Sequence, residues 1–425
     1  ATAQPGGDLA IVEQLLDKEI ELFLSDGPTD EELARVVTRT KADFIRAIER
    51  VSGKARILIE GAVFGGRPDA YIESLAILES LEPEDLRNAT RKWLSWPAFT
   101  LEVHPFAANL TATEQTVDRS ALPFPDTFPQ AEFPDLQIGE LSNGMRLIVA
   151  TRDAVPVIHM SLQLNMGYAA DQFARPGAAG LMINMLEEGT TNRDALQISE
   201  ELDDLGGEIR AGSNLDFSFV SMSALTENLE LTLDIFGDVI LNPAFPDDDL
   251  ARLKRLQIAA IQREKMTPVN MALRLFPQLV YGDGHTYSLP MTGSGTEASI
   301  GALQRADLVD LHDTWFRPEN ATMIVVGDTN MAEITPYLED LFAGWTGGGV
   351  PEKIIPTVDL PDETRVVLVD RPGSEQSFII VGHLVTPRIG DGELAIQAMN
   401  FSFGGNFTSR INMNLREDKA WSYGV

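Results

Sequence analysis

The five histidines of the chain are the side chains best suited to bind zinc or to move protons near neutral pH, and they lie far apart. They are His104, His159, His285, His312 and His383. The nearest two are separated by 27 positions, whereas one helix presents two imidazoles to a zinc ion only at a spacing of four. A site assembled from distant histidines stays open as an alternative, although isolated histidines are more often structural.

Other catalytic patterns are also missing from the sequence. The chain has no cysteine, which excludes disulfides, thiolate metal sites and cysteine nucleophiles. It has no Gly-x-Ser-x-Gly elbow, and the adjacent carboxylates of Glu187 and Glu188 point in different directions on a helix. The glycines at 347–349 lack the Lys-Ser/Thr of a phosphate loop. Two segments remain as candidates, the apolar helix predicted within 175–191 and residues 403–425.

The composition excludes several classes of partner. The 33 basic residues against 64 acidic residues leave a net charge of −31, which repels phosphates and anionic lipids. We therefore expect no nucleic-acid partner. No apolar run approaches the roughly 20 residues that a membrane-spanning helix requires. The first residues show no basic-then-apolar pattern, so we expect no signal peptide in this sequence.

An internal repeat organises the chain. Residues 30–35 (Asp-Glu-Glu-Leu-Ala-Arg) are echoed by residues 247–252 (Asp-Asp-Asp-Leu-Ala-Arg). Residues 85–103 and 307–325 share an Asp-Leu, a Trp and a strand-like run at the same spacings. The offsets of 217 and 222 residues indicate a duplicated domain rather than a solenoid of short repeats.

Each copy of the repeat predicts the order helix, helix, strand. In the first copy Thr29-x-x-Glu32 is a capping box, and the apolar positions after it follow a helical period up to Gly53, which we expect to end the helix. A second helix opens at Pro83. Residues 98–103 alternate as a strand.

The middle of the chain predicts more strands. Asn143-Gly144 is the turn signal of a hairpin, and a strand follows over residues 159–164. The second copy of the repeat predicts a strand over 321–326. Another strand is predicted over 365–369.

Several motifs together resemble the insulinase/pitrilysin family of zinc peptidases, whose relatives include the mitochondrial processing peptidases and the respiratory-chain core proteins. Each of these motifs is weak alone, but the set is specific. They are Pro-Gly followed by Met and Gly-Thr over 176–190, Leu-Gly-Gly-Glu at 205–208, Leu-Asn-Pro at 241–243, Gly-Thr-Glu-Ala-Ser-Ile at 295–300, and Trp-Phe-Arg-Pro-Glu-Asn-Ala-Thr at 315–322 with Val-Val-Gly-Asp at 325–328.

The resemblance also shows what this chain lacks. The family's zinc helix carries His-x-x-Glu-His, and the aligned positions are Gly180, Ile183 and Asn184. The family's third ligand is a glutamate on a later helix, and the matching residues 256–262 contain no carboxylate. The ligands and the general base are thus missing together, so we predict no zinc or other cofactor in this chain. Zinc is expected in an upstream half of the parent protein.

The family resemblance implies an α+β fold of repeated domains, each an antiparallel-rich sheet covered by helices. It implies five segments: the end of a second peptidase-like domain, a linker, a complete zinc-less third domain, a second linker and the start of a fourth domain. These are residues 1–105, 106–134, 135–345, 346–360 and 361–425.

In the family, the zinc-less half contributes an arginine and a tyrosine to the reaction centre, and their counterparts are Arg416 and Tyr423. They would stabilise the negative charge that develops on the peptide carbonyl. The alternative is that Arg416 pairs with Glu417 or Asp418 on the surface and that Tyr423 is a half-buried strand residue.

Three functions stay open at this point. The chain is the substrate-clamping part of a zinc endopeptidase, a non-enzymatic scaffold of the same fold, or a peptide-binding subunit that pairs with a zinc-bearing chain. Expected partners are a peptide or unfolded polypeptide and the zinc-bearing half. Exported bacterial relatives favour a periplasmic or secreted location, and a cytoplasmic one is the alternative.

Overall fold

The computed structural model describes residues 9–94, 134–360, 362–374, 376–388 and 390–424. The chain divides into two compact units. The first comprises residues 1–260 and 293–353, and the second comprises residues 261–292 and 354–425. The predicted strand at 98–103 and most of the linker predicted at 106–134 lie outside the described residues.

The first unit is built on one mixed six-stranded sheet. Its strands are β1 (Leu136–Glu140), β2 (Arg146–Thr151), β3 (Val157–Leu164), β4 (Glu208–Ser213), β5 (Ser218–Leu225) and β6 (Ala321–Gly327). Their order across the sheet is β1-β2-β6-β3-β5-β4, and of the neighbouring pairs only β2 and β6 run parallel. The predicted α+β class with an antiparallel-rich sheet is therefore confirmed.

The first hairpin forms where the sequence predicts it. β1 pairs with β2 from Leu136↔Ala150 to Glu140↔Arg146. Gly144 adopts a φ of +89°, which a glycine reaches without strain. The side chain of Asn143 accepts a hydrogen bond from the Met145 amide at 3.1 Å and so fixes the turn.

Fifteen α-helices accompany the sheet in the described residues. They are α1 (Leu9–Asp26), α2 (Asp30–Glu49), α3 (Val51–Phe64), α4 (Ala70–Glu79), α5 (Pro83–Trp93), α6 (Ala178–Asn184), α7 (Ala195–Leu205), α8 (Leu229–Leu241), α9 (Asp247–Glu264), α10 (Pro268–Tyr281), α11 (Glu297–Ala302), α12 (Arg305–Trp315), α13 (Met331–Leu341), α14 (Glu393–Phe403) and α15 (Arg410–Asn412), which a π-helical turn continues over Met413–Asp418. One face of the sheet packs against α6 and α8, and α12 packs against α6. This side holds the apolar core.

The first long helix ends before the predicted position. The capping box at Thr29 and Glu32 is present. However, α2 stops at Glu49 because Arg50 takes extended angles, and Gly53 lies inside α3. A Cβ at Gly53 would collide with the carbonyl oxygen of Ala47, so this glycine allows α3 to fold back closely on the last turn of α2. The prediction that Gly53 ends the helix was wrong because the glycine serves a close approach instead.

Helix α2 joins the N-terminal helices to the sheet domain by packing on α7. Arg35 bonds Asp204 at 2.8 Å, and Arg39 bonds Asp203 at 3.1 Å. Ala42 of α2 is fully buried against Gly206, at the end of α7. A Cβ added to Gly206 would lie only 2.8 Å from the Cβ of Ala42. A small residue on each helix therefore permits the contact.

The strand predicted over residues 365–369 is absent: these residues form no ladder with any described residue. Their exposure alternates, with Val366 and Leu368 each 91% exposed and Val367 at 55%. The period-2 pattern was read correctly, but a strand requires a hydrogen-bonded neighbour, and the second unit offers none among the described residues.

A polar network holds the loop after α6 against α8. The carboxylate of Asp238, only 5% exposed, accepts hydrogen bonds from Thr190 at 2.6 Å, Asn192 at 2.6 Å and Arg193 at 2.9 Å. Arg193 also pairs with Asp234 at 2.6 Å on the exposed side. The Gly-Thr motif at 189–190 thus serves to anchor the loop.

We predict that Asp238→Ala lowers the free energy of unfolding by about 2–4 kcal/mol, because Thr190, Asn192 and Arg193 all lose the buried acceptor that holds the loop on α8. Asp234→Ala is the matched control, since Asp234 pairs with the same arginine but is 69% exposed, and its cost should stay below about 1 kcal/mol. Urea unfolding of both variants measures the difference. Equal losses would contradict the anchoring role of Asp238.

Candidate functional site

The helix aligned with the family's zinc helix is α6, and its three candidate positions face different surroundings. Ile183 is fully buried in the core, Asn184 is exposed, and Gly180 lies between these extremes. Glycine offers no side-chain donor and isoleucine no lone pair, so two of the three positions have no metal-binding atom. The structure therefore does not bring these three residues together as a donor set.

An aromatic ring occupies the space beside Gly180. A Cβ built at Gly180 would lie 3.6 Å from Cε1 of Tyr168 and 3.7 Å from the carbonyl oxygen of Gly293. The hydroxyl of Tyr168 donates to the carbonyl oxygen of Ser213 at 2.6 Å, which locks the ring in place. A side chain at Gly180 would therefore be in contact with this ring from its first carbon atom.

The helix that carries the family's third ligand makes a different contact here. On α9, the side-chain amide of Gln257 donates to the carbonyl oxygen of Ser294 at 3.2 Å. This bond ties α9 to the loop that passes beside Gly180. Among the described residues, no group of three or more His, Cys, Asp or Glu side chains is placed to hold a metal ion. The residues present therefore do not fit zinc.

The N-terminus of α6 is held by a buried carboxyl group. Asp171, 4% exposed, accepts hydrogen bonds from the amides of Gly177 at 2.6 Å and Ala179 at 2.8 Å. Burial raises the pKa of Asp171 to about 7, and the two backbone hydrogen bonds oppose this rise. Near neutral pH, this group is thus divided between its protonated and ionised forms.

Two backbone segments cross closely at the start of α6. Gly177 and Gly295 both have left-handed φ angles, of +89° and +70°. A Cβ on Gly177 would lie 2.6 Å from Cδ1 of Ile300, and one on Gly295 would collide with the carbonyl of Pro176. The hydroxyl of Ser299 also donates to Pro176 O at 2.7 Å. The family motifs at 176–190 and 295–300 are therefore in direct contact, and their glycines make that contact possible.

In the second unit, Arg416 and Tyr423 do lie together. The guanidinium carbon of Arg416 is 5.1 Å from the centroid of the Tyr423 ring and 4.8 Å from that of Phe407. Its Nε also lies 3.2 Å from Glu417, the ion pair expected under the alternative interpretation. Tyr423 is 89% exposed and is not in a strand. Two aromatic rings thus hold the guanidinium by cation–π contacts.

Sequence reasoning missed Phe407, Tyr168, Asp171 and Gln257. Phe407 lies in the segment already singled out, and an aromatic residue near an arginine was its only signal. Tyr168 and Asp171 stand just before the zinc-like helix, in a stretch that carries no motif. Ser213, the partner of Tyr168, is brought to it by the fold, whereas Asp171 bonds the nearby amides of Gly177 and Ala179.

Comparisons with known proteins agree with these motifs. The model of the insulinase family, peptidase family M16, matches residues 147–282, and the model of the peptidase M16 inactive domain matches residues 302–425. The chain belongs to the insulinase/pitrilysin family. Among curated relatives in the family, an uncharacterized zinc protease of Rickettsia felis is 23% identical over 68% of this chain and 69% of its own length. Another, of Mycobacterium leprae, is 23% identical over 67% of this chain and 64% of its own length.

Solved structures show the same family fold. A peptidase M16 inactive domain from Pseudomonas fluorescens superposes with a TM-score of 0.59 at 23% identity, over 68% of this chain and 69% of that one. A protease from Helicobacter pylori gives 0.58 at 18% identity, over 68% and 70%. This chain therefore spans about two thirds of the relatives it matches. Within the described residues, no helix is both long and apolar enough to cross a bilayer.

We predict a pH dependence of stability that comes from Asp171. The pKa of Asp171 is about 7 in the native state and near 3.8 in the unfolded chain. The native state therefore binds the proton of this carboxyl group more tightly than the unfolded chain does. The stabilisation is complete below that value and is lost as pH rises towards about 7. The free energy of unfolding of the wild type relative to Asp171→Asn should fall by about 4 kcal/mol at most between pH 4 and pH 8.

Urea titrations of both proteins across this pH range measure the effect, with Asp153→Asn, at an exposed site, as the control for losing one carboxyl group. The prediction would be contradicted if the free energy of unfolding of the wild type, relative to that of Asp171→Asn, increased with pH. It would mean that the helix N-terminus keeps this carboxylate ionised.

Proposed function

We propose that this chain is the non-catalytic, peptide-holding part of a zinc-dependent metalloendopeptidase. The observation that carries the proposal is that Gly180, Ile183 and Asn184 stand at the His, Glu and His positions of the zinc motif, with the Tyr168 ring beside Gly180. The match of residues 302–425 to the peptidase M16 inactive domain supports it. A zinc-bearing half, in the same protein or a separate subunit, would supply the hydrolytic chemistry.

The proposal includes the domain assignment made from the sequence. Residues 135–345 would be the complete zinc-less domain, residues 1–105 the end of the preceding one and residues 361–425 the start of the next. Residues 106–134 and 346–360 would link them. The internal repeat supports this assignment, because α2 and α5 correspond to α9 and α12.

Within this proposal, Arg416 and Tyr423 bind the carbonyl oxygen of the scissile peptide. The cation–π contacts of the guanidinium with Phe407 and Tyr423 support it, because the rings orient the guanidinium without occupying its N–H donors. The ion pair with Glu417 uses Nε, and within the described part of the chain the terminal nitrogens have no hydrogen-bond partner. Preorganised donors of this kind stabilise the charge that develops on the carbonyl oxygen.

Cleavage of a quenched unfolded peptide and of casein tests the proposal. The purified chain alone should show no cleavage. Cleavage should appear when the chain is mixed with the His-x-x-Glu-His half of its own organism and should exceed that of the zinc-bearing half alone. If the chain adds nothing to the zinc-bearing half, the scaffold alternative is favoured instead.

Variants of the mixed system test the role of Arg416. Arg416→Ala should lower kcat about 100-fold with little change in KM, because the lost donor acts mainly in the transition state. Arg410→Ala is the matched control, since Arg410 is exposed on the preceding helix and makes no ion pair among the described residues. Equal kinetics for the two variants would remove Arg416 from the reaction centre.

A further inference from the structure

The sheet face opposite the apolar core carries a cleft. It has a volume of about 740 Å³ and lies between this face and the junction of α2 and α3. Strands β4, β5, β3 and β6 supply its floor, and residues 43–56 supply the facing wall. All of these residues belong to the first unit. Neither the zinc-like helix nor the Arg416–Tyr423 pair contributes to the cleft.

Strand register makes the floor polar on one side and apolar on the other. Two rows of side chains cross the strands: Glu208, Ser223, His159 and Val326 form one, and Arg210, Ser221, Ser161 and Ile324 form the other. Charged groups stand on β4, hydroxyls on β5 and β3, and branched apolar side chains on β6. Such a floor suits a ligand that has both polar and apolar parts.

The acidic groups of the cleft have partners close by. Glu49 lies 3.1 Å from His159, and Arg46 lies 3.4 Å from Asp43 and 3.5 Å from Glu208. The lining contains four arginines and three carboxylates, so its basic groups outnumber its acidic ones.

The side chains of Arg50 and Ser161, both in the lining of the cleft, are available to bind a ligand. Arg50 makes no ion pair and the Ser161 hydroxyl makes no hydrogen bond within the described part of the chain. Among the same described residues, the one ion pair of Arg56 is with Glu60 of its own helix, at 3.9 Å. In a protein with a net charge of −31, the mouth of this cleft thus keeps positive charge available for an anionic group.

The cleft has the length of a short peptide. Four neighbouring strands about 4.8 Å apart span about 14 Å, which corresponds to about four or five residues of extended chain. The close approach at Gly53 fixes the bend that presents Arg50. The site therefore needs little reorganisation on binding, which favours affinity.

We propose that this cleft binds an extended peptide segment that places an apolar side chain against Ile324 and Val326 and a carboxylate at Arg50. The inference rests on the proposed peptide-holding function and adds a specific site and a chemical preference to it. Charge complementarity selects the acidic group, and the β6 side of the floor selects the apolar one.

Fluorescence anisotropy with the full 425-residue chain tests this site. The probe is fluorescein-Ala-Leu-Val-Ala-Glu with a free C-terminus, compared with fluorescein-Ala-Leu-Val-Ala-Gln-amide. The acidic peptide should bind at least about tenfold more tightly than the neutral one. No binding of the acidic peptide, or equal binding of both, would overturn the proposal.

Matched variants locate the binding. Arg50→Glu should weaken the acidic peptide at least about tenfold, Arg50→Gln by less, and Ile324→Thr should weaken both peptides. Arg255→Glu makes the same change of charge at an exposed arginine of α9 and should leave affinity unchanged. Because Arg50 has no ion pair to lose, its variants should fold normally. Equal effects of Arg50→Glu and Arg255→Glu would overturn the assignment.

Other occupants give different results. Full competition by millimolar inorganic phosphate would assign the cleft to free anions. A concentration-dependent dimer that Arg50→Glu abolishes would assign it to a second copy of the chain. Both outcomes overturn the peptide assignment. Peptide binding that no cleft variant changes would also overturn it, yet leave the proposed function standing, which the cleavage assay with the zinc-bearing half tests separately.

Discussion

The backbone crossing at Gly177 and Gly295 is the contact on which the arrangement of the site depends. Neither residue can carry a side chain there, because an added Cβ would meet Ile300 on one side and the Pro176 carbonyl on the other. The crossing fixes where α6 starts, and Asp171 then caps that start from a buried position. From this point α6 runs into the core, and the loop at 293–295 passes beside Gly180.

Around these fixed segments, packed side chains occupy the region that corresponds to the family's zinc site. Tyr168 occupies the space beside Gly180, and Gln257 ties α9 to the same loop through a backbone carbonyl. In a zinc peptidase, the metal itself draws the ligand-bearing helices together. Here hydrogen bonds and an aromatic ring hold them, so the elements keep their positions without a donor set. The chain therefore keeps the family fold although the described residues of α6 and α9 provide no set of zinc ligands.

Local signals in the sequence predicted a large part of the fold. Asn143-Gly144 marked the hairpin, and Thr29 with Glu32 marked the start of α2, because turns and caps are made by residues close in sequence. The predictions at Gly53 and at residues 365–369 were wrong for the same reason. A glycine can end a helix or allow a close approach within it, and an alternating run can form a strand or remain unpaired. Tertiary neighbours decide between them, and they are not visible in the local pattern.

The residues of the candidate site were likewise predictable only in part. Family spacing singled out Arg416 and Tyr423, and the guanidinium carbon of Arg416 lies 5.1 Å from the centroid of the Tyr423 ring. Their role at a reaction centre stays a prediction. The Tyr168–Ser213 bond and the Glu49–His159 pair could not be predicted, since each joins segments that only the fold brings together. The cleft likewise arises from strand register, which places serines from β3 and β5 side by side.

The most direct test of the account is metal analysis of the purified chain after equilibration with a small excess of zinc and removal of free metal. The account predicts zinc far below one ion per chain, because the positions of Gly180, Ile183 and Asn184 supply no donor set and the Tyr168 ring fills the adjoining space. One tightly held zinc ion per chain, lost when Asn184 or Gln257 is replaced by alanine, would contradict it.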